Sequence, residues 1–353
     1  MKLTAALSWP IILVMLGSNP SSLFAQTPAK PDPRCAASES WPPYTTGSFW
    51  NAVIPIDAPV RRDSAALLGR IPLANAVCTL TSDVTQNSYP IYLVDDRTPT
   101  AQVAIENYFS FFEKFESDAD GVRRGAGHNP TIPNVPIPPS AKAGGGSDDQ
   151  VLFWNPATGA EWSLWQFSKN DKGYAATNGY LYNTRNGTGR MAGSGRGAGV
   201  SKLGGTVSAC EVEIEGAVEH AIAFAYEKPS PQWVFPATKS DGHGKAGAEI
   251  PQGARIQLDP KLMDADFDAL GLGPQAKVIA RAMQKHGLIL IDRSGRPKAF
   301  LESDVTGKWK NAAAMEHALR PLTLDAQGKP DWSRFRVLDW DQWTGGPLGL
   351  QGP

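Results

Sequence analysis

The stretch Cys210–Tyr226, C-E-V-E-I-E-G-A-V-E-H-A-I-A-F-A-Y, constrains this chain more than any other. In its first half Glu211, Glu213 and Glu215 alternate with Val212 and Ile214. That period of two predicts a strand with one solvated and one buried face. Beyond Gly216 and Ala217 the pattern changes, and His220 enters a run of small and apolar residues, Val218–Phe224. Such a run predicts a strand covered on both faces. A possible bulge at Gly216 would re-aim the side chains that follow it. Three carboxylates and a histidine therefore lie together on what reads as a central strand.

A strand covered on both sides needs layers to cover it. Hydrophobic residues make up 41% of 353, enough for one large core or two packed ones. The chain carries 35 glycines and 29 prolines, the turn chemistry that a β-rich body requires. The expected fold is mainly β: a β-sandwich or jelly-roll-like body with one or two docked α-helices in the C-terminal third. No repeat or hinge-like linker divides residues 46–353, which read as a single β-rich domain.

The N-terminus reads as an export signal. Lys2 precedes the mostly apolar run Ala5–Leu16, and Ser21–Ala25 has the small residues of a cleavage site. Residues 1–25 are expected to be a signal peptide and residues 26–45, rich in proline, a leader. No later stretch approaches the roughly 18 apolar residues of a membrane span. The mature chain is expected in a secreted or periplasmic location, without membrane insertion. A balance of 34 basic against 35 acidic residues argues against a nucleic-acid surface.

Three cysteines in an oxidising compartment imply one disulfide and one thiol. Cys35–Cys78 is the expected pair, because it would pin the N-terminal arm, and Cys210 is expected to be a small core residue. No cysteine or histidine spacing matches a zinc site, and Asp118–Gly121 and Asp264–Asp268 complete no calcium loop. No cofactor motif occurs.

The other elements follow from local pattern. Strands are expected at Asn51–Ile56, Ser88–Val94, Thr100–Ile105 and Tyr180–Asn183, and a hairpin joins 150–154 to 160–167 around N-P-A-T-G. On its second arm Trp162, Leu164 and Gln166 share one face, and Ser163, Trp165 and Phe167 the other. Tyr108–Phe115 is densely aromatic, and residues 118–149 read as one long loop carrying His128. Residues 185–199, rich in glycine, read as a surface loop, or as an anion-touching one using Arg185, Arg190 and Arg196. They lack the ending of a phosphate loop and the nucleophile elbow of a serine hydrolase. Further on, Ala254, Ile256 and Leu258 face one way and Arg255 and Gln257 the other. Pro274–Lys285 is the best helix, with Val278, Ile279, Ala282 and Met283 as its apolar stripe and Gly287 beyond its end. Leu288–Asp292 is a buried strand, and a second short helix is expected at 311–319.

The segments G-A-V-E-H-A-I-A-F, P-Q-G-A-R-I-Q-L-D-P and I-A-R-A-M-Q-K-H-G-L-I-L-I-D-R-S-G resemble a group of uncharacterised exported bacterial proteins. The resemblance spans Gly216–Ser303, with weaker likeness near Trp50 and Asp149. It implies export and assigns no catalytic residue.

Extracellular carbohydrate handling is the function these residues suggest. Residues two apart on a strand face lie about 6.5–7 Å apart, near the spacing of the carboxyl pairs that cleave glycosides. Glu211 and Glu213 are the candidate catalytic pair and His220 a candidate proton carrier, with Trp162, Trp165, Tyr226 and Arg255 as candidate substrate contacts. A glycoside hydrolase or a polysaccharide lyase would use such a set on a polysaccharide. A non-catalytic glycan-binding or cell-envelope protein is the alternative. In it the glutamates are a solvated face and His220 a hydrogen-bonded core residue.

Overall fold

The computed structural model describes residues 35, 41–73, 78–105, 131–191, 195–343 and 345. The expected signal peptide, most of the leader, the aromatic run 108–115, His128 and Asp118–Gly121 lie outside them.

Strands outweigh helices, 28% against 17%, so the fold is mainly β with a sandwich-like body. In chain order come α1 (Ser64–Leu68), β1 (Ile91–Leu93), β2 (Thr100–Ile105), β3 (Thr131–Pro136), β4 (Val151–Asn155) and β5 (Ala160–Trp165). Then follow β6 (Ser168–Asn170), β7 (Gly173–Ala176), β8 (Asn178–Asn183), β9 (Ile222–Tyr226), β10 (Ser230–Trp233), β11 (Pro251–Gln252) and β12 (Arg255–Leu258). The last are α2 (Asp264–Ala269), α3 (Pro274–Lys285), β13 (Leu288–Arg293), β14 (Lys298–Ala299), α4 (Ala312–Met315) and β15 (Phe335–Val337).

The strands form layers. One sheet has the order β14-β9-β13-β12-β15, a second β1-β4-β5-β8 and a third β3-β2-β7-β6, while β10 and β11 pair alone. β9 lies at the centre of the protein and is buried along its whole length. Its Ile222, Phe224 and Tyr226 enter a core shared with α3, and Ala223 and Ala225 enter a second core that includes Leu152, Trp154, Tyr180 and Tyr182 of the next sheet. Val151, Phe153 and Leu164 on the far face of that sheet meet Val103, Ile132 and Val135 of the third. Alternation along each strand thus feeds two cores at once, which is why β9 and β13 read as unbroken apolar runs.

α3 covers the outer face of the first sheet. Pro274 stands at its start with a preset φ, and Gly287, at φ 77°, turns the chain into β13. Ile279, Ala280 and Met283 are buried, and enclosing Ile279 alone contributes about 2 kcal/mol. Asp264 and Asp268, two of the acids noted as an incomplete calcium loop, sit in α2 and bridge to Arg281 and Lys277 at 2.5 Å each.

Several expectations need correcting. Glu211–Glu215 is one wide helical turn, with the Gly216 N–H donating to the Glu211 carbonyl, and not a strand. Gly216 ends that turn in the left-handed region, at φ 68°, and is no bulge. A turn rotates every residue by roughly 100° and abolishes the shared face that alternation implied. No strand forms over Asn51–Ile56, where one was expected; Phe49–Asn51 is a single turn, capped by Ser48. β3 pairs with β2 inside the stretch read as one loop. The disulfide joins Cys35 to Cys210, Cα atoms 5.6 Å apart, and not to Cys78. The Cys78 thiol donates to the Pro72 carbonyl at 2.9 Å, and the Trp332 indole donates to the Cys78 carbonyl at 3.0 Å. Those contacts anchor Cys78 beside β15, while the helical turn carries Cys210 to the N-terminal arm.

Candidate functional site

The turn that displaces the glutamates also separates them. Glu211 is buried, with its carboxylate 3.1 Å from Nε2 of His220 and accepting the Ser208 N–H at 2.8 Å. His220 is 1% exposed, and its Nδ1 lies 2.8 Å from the Ala221 carbonyl. Both ring nitrogens therefore face acceptors, an arrangement satisfied by the imidazolium form. Burial works against that charge, but the Glu211 carboxylate and the Ala221 carbonyl outweigh it and raise the His220 pKa. Glu211 borders a recess of about 20 Å³ beside Trp41 and Trp154, room for a single water. Glu213 turns elsewhere, to Lys310, whose amine lies 3.6 Å away.

The remaining sequence candidates divide. Tyr226 is buried, accepts the Ile250 N–H at 3.2 Å and lies 3.5 Å from Glu249. Burial, then the Glu249 charge, raises its pKa far above the usual tyrosine range. Arg255 is buried and donates to the carbonyls of Phe49 and His286 at 2.6 Å each, and burial lowers its pKa to about 9. It ties the N-terminal segment to the end of α3. Trp162 packs into the core between the second and third sheets. Trp165, on the opposite face of β5, lines an open cleft.

That cleft, about 300 Å³, is bordered by several charged groups, and it falls in the size range of small-molecule sites. It forms where β5, β8 and the end of β13 meet the glycine-rich segment. Asp148, Gln150, Trp165, Tyr180, Arg196, Lys202 and Asp292 supply its chemistry.

Asp292 reaches the cleft through a bulge. β13 runs parallel to β9, and its register pairs Leu290 with Phe224 but Asp292 with Ala225, leaving Ile291 as the extra residue. Regular alternation would send Asp292 toward the α3 side with Leu288 and Leu290. The bulge turns it to the side of Ala225, where the cleft lies. Its carboxylate accepts the N–H groups of Arg293 at 3.0 Å and Gly197 at 3.3 Å. Burial, then the neighbouring Asp241 charge, pushes its pKa up to about 7, against the pull of Arg196 and Lys202.

Lys202 is 8% exposed and donates to Gln150 Oε1 at 2.5 Å. Burial pulls its pKa down to about 8, although Asp292 and Asp148 oppose that shift. Asp148 accepts the Trp165 indole N–H at 3.2 Å, which fixes the ring at the wall. Arg196, 1% exposed, donates to the carbonyls of Lys202 and Gly204 and to the Thr206 hydroxyl, and its guanidinium lies about 5 Å from the rings of Tyr89 and Phe300.

Polar groups beneath the cleft support its floor. Tyr180 donates to Glu161 at 2.6 Å and accepts the Lys202 N–H at 2.5 Å. Ser201 donates to the other Glu161 oxygen at 2.6 Å and meets Tyr44 at 2.5 Å. Burial raises the pKa of Glu161, and it raises that of Tyr180 well above the usual range. The phenol therefore keeps its proton and holds the Lys202 backbone in place.

Sequence reasoning missed most of this floor. The signal for Asp292 was present: a carboxylate closing the apolar strand L-I-L-I-D. The segment 185–199 is no surface loop where it is described, since Met191, Arg196 and Ala198 are buried and Ala198 donates to the Ile291 carbonyl at 2.8 Å. Of its three arginines, Arg196 borders the cleft. Nothing local marked Lys202.

No three metal-ligating side chains cluster among the described residues, and no helix there is long and apolar enough to cross a membrane. Comparison with protein-family models, curated proteins and solved structures finds no match.

Proposed function

We propose that this protein is an exported carbohydrate-active enzyme that cleaves glycosidic bonds in the Asp292 cleft. The observation that carries the reading is that Asp292, Asp148 and Lys202 line one cleft together with Trp165, whose indole Asp148 holds. Glycoside hydrolysis needs one carboxyl that holds its proton near neutral pH and a second that acts as base or nucleophile. Burial and Asp241 put Asp292 in the first role. Asp148 is the second carboxylate, Trp165 offers a flat apolar face to a sugar ring, and Lys202 and Gln150 offer polar contacts to its hydroxyls. The disulfide fits an oxidising compartment.

In the hydrolytic step the Asp292 proton passes to the glycosidic oxygen as the C–O bond breaks. Water then supplies the hydroxyl to the anomeric carbon and its proton to a carboxylate. Elimination is the second reading, favoured by the two buried cations Arg196 and Lys202, which suit the carboxylate of a uronate.

The test is a polysaccharide panel read for reducing ends and for the absorbance of unsaturated uronates. New reducing ends, lost about 100-fold or more in a folded Asp292→Asn variant, are expected. Unchanged activity in that variant would refute the assignment.

A further inference from the structure

We infer that a second groove, on the surface formed by β10, β11 and the start of α1, binds a neutral glycan chain. This extends the carbohydrate reading to a surface that shares no lining residue with the cleft. Among the described aromatic side chains Trp233 is the exposed one, at 47%, and it stands on β10, which pairs only with the two-residue β11. Its ring does not stand alone, because a second indole, Trp340, borders the same groove.

Trp233 borders a groove of about 230 Å³ together with Trp340, Arg61, Asp63, Gln232 and Glu249. Trp340 is a fixed wall, because the Arg61 guanidinium lies 3.8 Å from its ring centre and its inner side packs on the core. The charges at the groove are already matched. Arg61 holds Asp63 through two hydrogen bonds, at 2.8 and 3.1 Å, and Arg70 holds Glu249 at 2.6 Å. A groove whose ions are paired internally does not call for an ionic ligand. Each paired carboxylate still keeps acceptor sites, and the Gln232 amide adds donors. A flat apolar face ringed by planar polar groups is the complement of a sugar ring, which is apolar on its faces and hydroxylated around its edge. A neutral, β-linked glycan presents such faces along its length.

The test uses the full chain in native gels containing hydroxyethylcellulose, a neutral β-glucan, or polygalacturonate as the charged comparison. Hydroxyethylcellulose is expected to retard the wild type and Asp292→Asn alike. Trp233→Ala, an exposed substitution that leaves the fold intact, is expected to weaken retardation about tenfold. No retardation, equal retardation of Trp233→Ala, or stronger retardation by polygalacturonate would overturn the inference. So would a dimer in sedimentation that Trp233→Ala dissolves, since the groove would then cover a second copy. Because Asp292→Asn keeps the groove and loses the cleft, retardation without any cleavage would count against the cleft assignment alone.

Discussion

His220 and Asp292 show how two titratable side chains of one protein take opposite parts. His220 is 1% exposed and both of its ring nitrogens face acceptors, which fits a charge that serves the structure. Its folded pKa is raised above the unfolded value. The stability it adds is fully present below about pH 6 and is lost as pH rises through the folded value. His220→Gln leaves Glu211 buried without its cation and is expected to cost about 3 kcal/mol. Thermal melts should show the difference from wild type largest near pH 5 and smaller on the alkaline side. Activity per folded molecule should be unchanged, and a loss confined to turnover would instead make His220 catalytic. Asp292 runs the other way in function. Its carboxyl is raised to about 7, so ionisation destabilises the fold, and stability falls as pH rises toward and through that value. Asp292→Asn should melt higher than wild type at pH 8 while losing activity, the trade expected of a strained site.

At the scale of elements, the glycine-rich segment and the disulfide each position something beyond themselves. A Cβ on Gly197 would run into the Asp241 carboxylate, so a glycine there lets the loop lie against the group that raises Asp292. Gly197→Ala should displace Asp241 and lower kcat by about 10–100-fold with little change in melting temperature. A matching fall in stability would make the contact merely structural. The Cys35–Cys210 bridge closes a loop over a sequence separation of 175 residues and ties the arm to the turn that carries Glu211. Peptide mapping without reductant should recover that cross-link, with Cys78 open to alkylation on unfolding. Removing the bridge should cost about 2–5 kcal/mol. The bulge at Ile291 matters as much, because it alone puts Asp292 on the cleft side of β13.

Across the whole molecule, elements with strong local periodicity were legible. α3 runs from Pro274 to Lys285 as its stripe and stop residues implied, β2 spans Thr100–Ile105, and the β4–β5 hairpin turns at N-P-A-T-G. β9 is covered on both faces, as its small apolar run required. Glu211–Glu215 misled because five alternating residues are compatible with a strand or with a short helical turn, and tertiary packing made the choice. The cysteine pairing was illegible because sequence separation says nothing of closeness in space. Of the two tryptophans of β5 offered as substrate contacts, Trp165 borders the cleft and Trp162 packs into the core. Lys202, Asp148 and Asp292 come from three separate segments, and a one-residue bulge decides the side that Asp292 takes. Local pattern carries neither fact. The most direct test of the proposed site is the pH dependence of kcat/KM on a glycan that the protein cleaves, for wild type and for Asp241→Asn. With Asp292 as proton donor, wild-type activity should fall on the alkaline side with a midpoint near 7. Removing the neighbouring negative charge should move that limb to lower pH. A limb unmoved by Asp241→Asn, or full activity persisting above pH 8 in the wild type, would contradict it.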